Sequence, residues 1–228
     1  MPTPPSPRLL LLFTKPARPG RVKTRLIGDL TPAEAAELHA AFLEDLLERL
    51  RQGSFELRLA WALDPGEEIP AGPLPGIRQE GSGLGERLYR ALSDAAATAE
   101  SVAAVGSDHP TLPLELVHRG FERVEAGADV VLGPAEDGGY YLIVIRAGVF
   151  TREAAPRLFE EIAWSTERVL EQTLERCREL GLAVELLPTA CDVDTPEDLR
   201  RLAGDLAGRA GGDCPRTRGL LQSWRRGG

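Results

Sequence analysis

The sequence predicts an α/β fold with a mostly parallel sheet. Two observations carry the prediction. Short apolar runs alternate with segments of helical periodicity along the chain, which is the pattern of strands joined by crossover helices. Two of those runs, Leu9–Leu12 and Val102–Val105, are apolar at every position rather than at alternate ones, as in strands buried on both faces. With 228 residues and 43% hydrophobic composition, the chain is long enough for one sizeable core and short for two. A single domain over residues 8–207 is expected, with a disordered tip at 1–7 and a disordered, Gly/Arg-rich tail at 208–228.

The elements follow in order. Arg8–Thr14 reads as the first strand, and the loop after it gathers Lys15, Arg18, Arg21, Lys23 and Arg25 among prolines and a glycine. Thr31-Pro32-Ala33-Glu34 supplies an N-cap, a proline at the first helical position and the glutamate of a capping box. Leu38, Phe42, Leu46 and Leu50 then recur on one helical face, which stops before Gly53. Phe55–Leu63 is a second strand and Asp64–Gly76 a Pro/Gly-rich loop. The cluster Gly81-Ser82-Gly83-Leu84-Gly85 leads into a helix over 86–97, and Val102–Val105 is a third strand ending in Gly106-Ser107-Asp108-His109-Pro110. Pro113–Glu125 is helical, Asp129–Leu132 a strand, Gly133–Gly139 a turn-rich loop, and Tyr140–Ile145 a β-prone run. Ser165 or Thr166 caps a helix that reaches Leu180 and ends at Gly181. After a strand at Leu182–Leu187, Thr195 is the N-cap and Pro196 the first residue of the last helix.

Composition narrows the function. A net charge of −8 argues against a nucleic-acid binder, which needs a basic face to release counterions. Cations gathered in one loop suit a small polyanion instead. Cys177, Cys191 and Cys214 include no CxxC pair, and His39, His109 and His118 have no metal-ligand spacing. This suits a reducing cytoplasm, and any metal would be held by carboxylates, which favours a hard ion such as Mg²⁺. No run is long enough for a secretory core or a membrane span.

The first loop is neither a P-loop nor a dinucleotide fingerprint. Its place at a strand end, where open α/β sheets bind ligands, favours a phosphate clamp over an exposed basic turn, with Arg25 suited to bidentate contact and Lys23 to point charge. Asp108 at the end of a buried strand could hold Mg²⁺ or cap the following helix. Asp192 and Asp194, two apart on an extended segment, point the same way and offer further oxygens, although capping the Thr195 helix competes and, for Asp194 alone, prevails. Asp137-Gly138-Gly139 is first of all turn chemistry; the functional alternative makes Glu136 or Asp137 a general base. His109 reads as a structural hydrogen bonder, and Trp164 and Tyr140 as core.

Taken in order, Lys15-Pro16, Lys23-Thr24-Arg25-Leu26, the glycine loop near Gly83, Gly106-Ser107-Asp108, Glu136-Asp137-Gly138-Gly139-Tyr140, Trp164-Ser165-Thr166 and Asp192-Val193-Asp194-Thr195-Pro196-Glu197-Asp198-Leu199 resemble the glycosyltransferase-like DUF2064 family. That family is also labelled rSAM/selenodomain-associated transferase 1. The first loop and the 192–199 segment are also similar to those of the guanylyltransferases of cofactor F420 synthesis and, more distantly, the molybdenum-cofactor nucleotidyltransferases. The resemblance implies a GT-A fold, a three-layer α/β/α arrangement around a mostly parallel mixed sheet. It further implies phosphate contacts from Lys23 and Arg25 with Lys15 and Arg21 in support, base contacts from Gln79, Gly83 and Gly85, and a divalent ion (Mg²⁺ or Mn²⁺) on Asp108 with Asp192 or Asp194. An acceptor would lie near Glu136, Asp137, Gly138, Gly139, Ser165 and Thr166. At Asp137-Gly138-Gly139 the sequence departs from the guanylyltransferases, which carry a Gly-Thr-rich loop there.

The central motif Ser107-Asp108-His109-Pro110 lacks the Asp-x-Asp usual in glycosyltransferases of this fold. A cationic first loop suits a departing pyrophosphate. The expected activity is therefore transfer of a nucleotidyl group from a nucleoside triphosphate to a small phosphate- or carboxylate-bearing acceptor. Sugar transfer from a nucleotide-sugar is the first alternative and a non-catalytic nucleotide-binding protein the second. No nucleic-acid or membrane partner is expected.

Overall fold

The computed structural model describes residues 6–208 and 213–227. Among the described residues seven strands form one sheet: β1 (Ser6–Thr14), β2 (Glu56–Trp61), β3 (Gly76–Arg78), β4 (Ala99–Gly106), β5 (Val130–Pro134), β6 (Tyr140–Arg146) and β7 (Val184–Leu186). Their order is β3-β2-β1-β4-β6-β5-β7. Only β6 runs antiparallel, against both β4 and β5, and the other paired strands are parallel. The described residues also form six α-helices: α1 (Pro32–Leu50), α2 (Leu84–Ala96), α3 (Leu114–Glu125), α4 (Val169–Glu179), α5 (Pro196–Gly208) and α6 (Pro215–Gly227).

The four leucines of β1 show how the layers are built. Leu9 and Leu11 face α2 and α4, packing with Leu88, Leu92 and Cys177. Leu10 and Leu12 face α1 and α3, packing with Leu46, Leu50 and Phe121. All four are fully buried, so the continuous apolar run is explained by helices on both faces.

The chain leaves β1 for β2 on one side and later enters β4 on the other, so the strand order reverses between β1 and β4. Ligands of open α/β sheets bind outside the carboxyl ends of the strands at such a point. The ends that meet there are Thr14 and Gly106, brought level by the register Phe13 opposite Gly106.

Three expectations are corrected. The loop read over 64–76 runs into a short strand, β3, which adds to β2 through Leu59–Gly76 and Trp61–Arg78; three residues are too few for a periodic signal. α4 begins at Val169 rather than at Ser165 or Thr166, because Ser165 has a positive φ of 66° and cannot start a helix there. Part of the expected disordered tail is α6, which lies on α1 and α5 with Leu221 and Cys214 buried among Leu38, Phe42 and Leu206. Its first turn is capped from another element: buried Asp45 of α1 accepts the Arg216 and Thr217 amides at 3.1 and 2.8 Å. A cap supplied from far along the chain leaves no local sequence signature. Residues 1–5, 209–212 and 228 of the expected disordered segments lie outside the described residues.

Candidate active site

The cleft at the β1/β4 switch point has two lobes that share Phe13, Arg25, Leu84, Gly106, Asp108, Ser165 and Asp194. The first, about 460 Å³, lies under the loop after β1 and includes Lys15, Thr24, His39, Gln79 and Arg87. The second, about 320 Å³, lies toward β6 and the segment before α4 and includes Asp137, Tyr140, Trp164, Thr166 and Asp192.

Between the lobes stands a cluster of carboxylates built from two distant segments. Asp108 follows β4, and Asp192 and Asp194 precede α5; the Val193 amide donates to the Asp108 carbonyl at 3.0 Å and clips the segments together. Capping is done by other residues. Thr195 and Asp198 form a reciprocal box at the start of α5, and α3 has Pro113 at its N-cap with no side-chain cap. Asp108 and Asp194 are thus released from the structural role that the sequence allowed them.

Their partner is Lys23. It adopts a left-handed backbone conformation, φ 47°, and its side chain is only 1% exposed. Its Nζ lies 2.5 Å from Asp108 Oδ1 and 3.0 Å from Asp194 Oδ1 and donates to the Val193 carbonyl at 2.6 Å. An ammonium has three hydrogens, and all three are spent. Burial opposes the charge, yet the two carboxylates outweigh it and hold Lys23 above its ordinary pKa. Burial likewise pushes the Asp108 carboxyl up, and Lys23 more than offsets it. Lys23 is therefore placed as the internal counter-ion of the aspartates rather than as a free phosphate clamp.

Asp192 is compensated only weakly, by Lys23. Burial first, then Asp108, Asp194 and Asp137, push its carboxyl up to about 7. Its neighbour His109 is buried, with Nδ1 3.7 Å from Asp192 Oδ1; burial and Arg49 lower that imidazole to about 4. Among the described residues no three His, Cys, Asp or Glu side chains form a ready-made cation cage. The donor set nevertheless fits a hard divalent ion: crowded oxygen ligands outnumber their cations, and Mg²⁺ is commonly held by one or two carboxylates with substrate phosphates completing its shell.

The other predicted residues divide. Lys15 and Arg25 face the first lobe, Arg25 being 63% exposed and 3.7 Å from Asp194. Gln79 lines that lobe while its amide donates to the Ala60 and Thr14 carbonyls at 2.8 and 3.4 Å. Arg21 turns away toward Asp64, 3.5 Å distant. Gly83 is the N-cap of α2 with open space beside it. Gly85 is buried beneath Trp164, whose indole nitrogen would stand 2.3 Å from an added Cβ; it seats an aromatic wall and does not approach a base. Glu136 pairs with Arg201 at 3.0 Å and lines neither lobe.

Asp137-Gly138-Gly139 is a turn, as its composition suggested, with a second task. Asp137 Oδ1 accepts the Gly139 amide at 2.9 Å, and the Gly138 carbonyl accepts the Leu170 amide at 2.9 Å. Gly138 has φ 86°, and a Cβ there would lie 2.1 Å from the Glu167 carbonyl oxygen. The turn thereby holds the 164–168 segment, including Ser165 and Thr166, against the second lobe. Sequence reasoning missed Arg87 and His39. Arg87 carried no motif, and its role depends on α2 turning it into the first lobe. His39 lies on α1 with its Nε2 3.1 Å from the Lys15 carbonyl, a contact between distant positions.

Fold and site together define a protein of the nucleotide-diphospho-sugar transferase-like architecture. Residues 50–166 match the model of the family described as "Uncharacterized protein conserved in bacteria (DUF2064)", and the chain belongs to that family. It is 31% identical to a Desulfovibrio desulfuricans G20 protein provisionally named a nucleotide-diphospho-sugar transferase, over 97% of this chain and 96% of that one, with a TM-score of 0.88. More remote structures share the fold. The 2-C-methyl-D-erythritol 4-phosphate cytidylyltransferase of Thermus thermophilus is 21% identical over 90% of this chain and 99% of its own, TM-score 0.54. Rv0371c of Mycobacterium tuberculosis H37Rv, solved in complex with manganese, is 18% identical over 88% and 98%, TM-score 0.51. No curated protein gives a significant match. No helix among the described residues is long and apolar enough to cross a membrane.

Proposed function

We propose that this chain is a divalent-metal-dependent nucleotidyltransferase that moves a nucleoside monophosphate from a nucleoside triphosphate to a small acceptor in the cytoplasm. The observation that carries the reading is the meeting of Asp108 with Asp192 and Asp194 from two separate strand ends, beside a lobe whose cations, apart from the buried Lys23, are Lys15, Arg25 and Arg87. Asp108 with Asp192 or Asp194 would hold Mg²⁺ or Mn²⁺, which when bound supplies charge stabilisation at the phosphates. Lys15, Arg25 and Arg87 bind the triphosphate and stabilise the charge that grows on the departing pyrophosphate. Lys23 keeps Asp108 ionised and orients both Asp108 and Asp194. Gln79 lies where the base would rest, with its amide protons tied to backbone carbonyls.

Sugar transfer from a nucleotide-diphospho-sugar is the second reading. It is favoured by the name of the 31% identical Desulfovibrio protein and by Asp137 at the second lobe. The products separate the two. Incubated with each nucleoside triphosphate or nucleotide-sugar, Mg²⁺ or Mn²⁺ and an acceptor panel, the protein is expected to release pyrophosphate. Release of nucleoside diphosphate instead would establish the second reading, and tight nucleotide binding with neither product would exclude both.

A further inference from the structure

The sequence pointed to an acceptor that brings its own anionic oxygen; the charge of the second lobe points the other way. Asp108, Asp137, Asp192 and Asp194 all line it, and Arg25 is the only Lys or Arg among its described lining residues. Lys15 and Arg87 belong to the other lobe, and Lys23, buried behind Asp108 and Asp194, offsets one of the four negative charges without lining this lobe. A bound divalent ion does not reverse this balance, because a nucleoside triphosphate brings more negative charge than one such ion cancels. An anionic acceptor would therefore meet carboxylates on one side and donor phosphates on the other, with one exposed arginine to offset them.

The interior of the lobe is apolar. Leu88, Ile143 and Val169 line it, and all three are buried. Tyr140 and Trp164 stand edge to face there, ring centroids 6.3 Å apart at 81°. This wall depends on two glycines: Gly85 makes room for the indole, and Gly138 admits the 164–168 segment. Aromatic faces and carboxylates together favour neutral or cationic ring-bearing molecules.

We propose that the acceptor is a hydroxyl compound with an aromatic or other apolar body and no negative charge. The proposal rests on the nucleotide-using reading above and names the acceptor class of the same cleft. The hydroxyl oxygen attacks the α-phosphorus: an O–P bond forms, the bond from the α-phosphorus to the bridging oxygen breaks, and pyrophosphate leaves with that electron pair. The hydroxyl proton passes to the Asp137 carboxylate, whose Oδ1 is held by the Gly139 amide while Oδ2 has no such bond. In sugar transfer the same hydroxyl would attack the anomeric carbon, and the acceptor class is unchanged.

Three probes with one ring and different charge test it: 2-phenylethanol, 2-amino-2-phenylethanol and 3-phenyllactate. Each is titrated calorimetrically into the full chain with Mn²⁺ and an α,β-methylene nucleoside triphosphate. The first two are expected to bind about tenfold or more tightly than phenyllactate, and Trp164→Ala to weaken them about fivefold. Asp137→Asn, which keeps the turn, is expected to improve phenyllactate about fivefold and leave phenylethanol nearly unchanged. Equal or tighter binding of phenyllactate, or no binding of any probe, overturns the proposal. Binding of Mn²⁺-nucleotide is measured first by equilibrium dialysis. If it fails, the nucleotide reading falls by itself, and the same titrations with Mn²⁺ alone still decide the charge preference.

Discussion

Lys23 combines a left-handed backbone, a buried ammonium and two aspartate partners, so its loss leaves like charges facing one another. Breaking a fully buried pair costs about 3–5 kcal/mol. The partners Asp108 and Asp194 keep 44% and 36% exposure, and water will screen part of that. Lys23→Met should therefore destabilise by about 2–3 kcal/mol, read from urea denaturation. Millimolar Mn²⁺ should recover more of this in the variant than it adds to the native chain, because the surplus negative charge attracts the ion more strongly. Equal recovery in both would rule out the counter-ion role. His39 provides a pH test at the same scale. Its Nε2–H donates to the Lys15 carbonyl, and burial lowers its pKa from the ordinary 6.5. A histidine kept neutral in the fold stabilises fully above the unfolded pKa, and that contribution is lost as pH falls from about 6.5 toward the folded value. Relative to His39→Gln, which retains a donor but does not titrate, the native chain should lose stability as pH falls below about 6.5; His109, lowered to about 4, and Asp192, raised to about 7 and so acting with the opposite sign, contribute to the slope of both chains. An unchanged slope in His39→Gln would remove His39 from the account.

At the scale of elements, the turn Asp137-Gly138-Gly139 and the helix α6 each depend on a contact that a substitution can disturb. A Cβ at Gly138 meets the Glu167 backbone at 2.1 Å in a positive-φ conformation, whereas one at Gly139 meets only the Asp137 carboxylate at 3.2 Å. Gly138→Ala should cost about 2–3 kcal/mol and abolish probe binding in the second lobe while nucleotide binding persists; Gly139→Ala should do neither strongly. Similar losses in both variants would mean that the turn does not hold the 164–168 segment. For α6, Asp45→Ala removes the acceptor of the Arg216 and Thr217 amides and should cost about 1–2 kcal/mol, with trypsin cutting after Arg216 and Arg218 first. These elements also mark where the sequence was legible. Strands and helices longer than a few residues, the Thr31 and Thr195 caps and the turn at Gly138 carry their signals locally. β3 is too short to show a period, and α6 reads as a polar tail because its cap and its apolar partners are supplied by α1, far along the chain.

At the scale of the whole molecule, the sheet order is what converts scattered motifs into a cleft. The β1/β4 reversal brings the first loop, Asp108 and the 192–194 segment to one edge, and the sequence showed each motif at a strand end without showing which ends are adjacent. Residue type was a poorer guide to direction. Lys23 was expected to reach phosphate and instead turns inward to Asp108 and Asp194, Arg21 turns to Asp64, and Glu136 turns to Arg201, because each has an acidic or basic neighbour that only the fold supplies. The arrangement leaves a protein of net charge −8 with Asp108, Asp137, Asp192 and Asp194 crowded at its cleft, so ligands that bring positive charge to that cleft should stabilise the entire domain. A ligand at one hundred times its dissociation constant adds about 2.7 kcal/mol, which for a chain of this size raises the melting temperature by about 5–10 °C. Mn²⁺ with a nucleoside triphosphate should produce such a rise, and the nucleotide without a metal a smaller one. In Asp108→Asn, which keeps the shape of the side chain and one hydrogen-bond acceptor for Lys23, the difference between the two conditions should vanish along with turnover, while the melting temperature without ligand stays within a few degrees of the native value. A full metal-dependent rise in folded Asp108→Asn would take the divalent ion away from Asp108 and leave the carboxylates of the 192–194 segment as its holders.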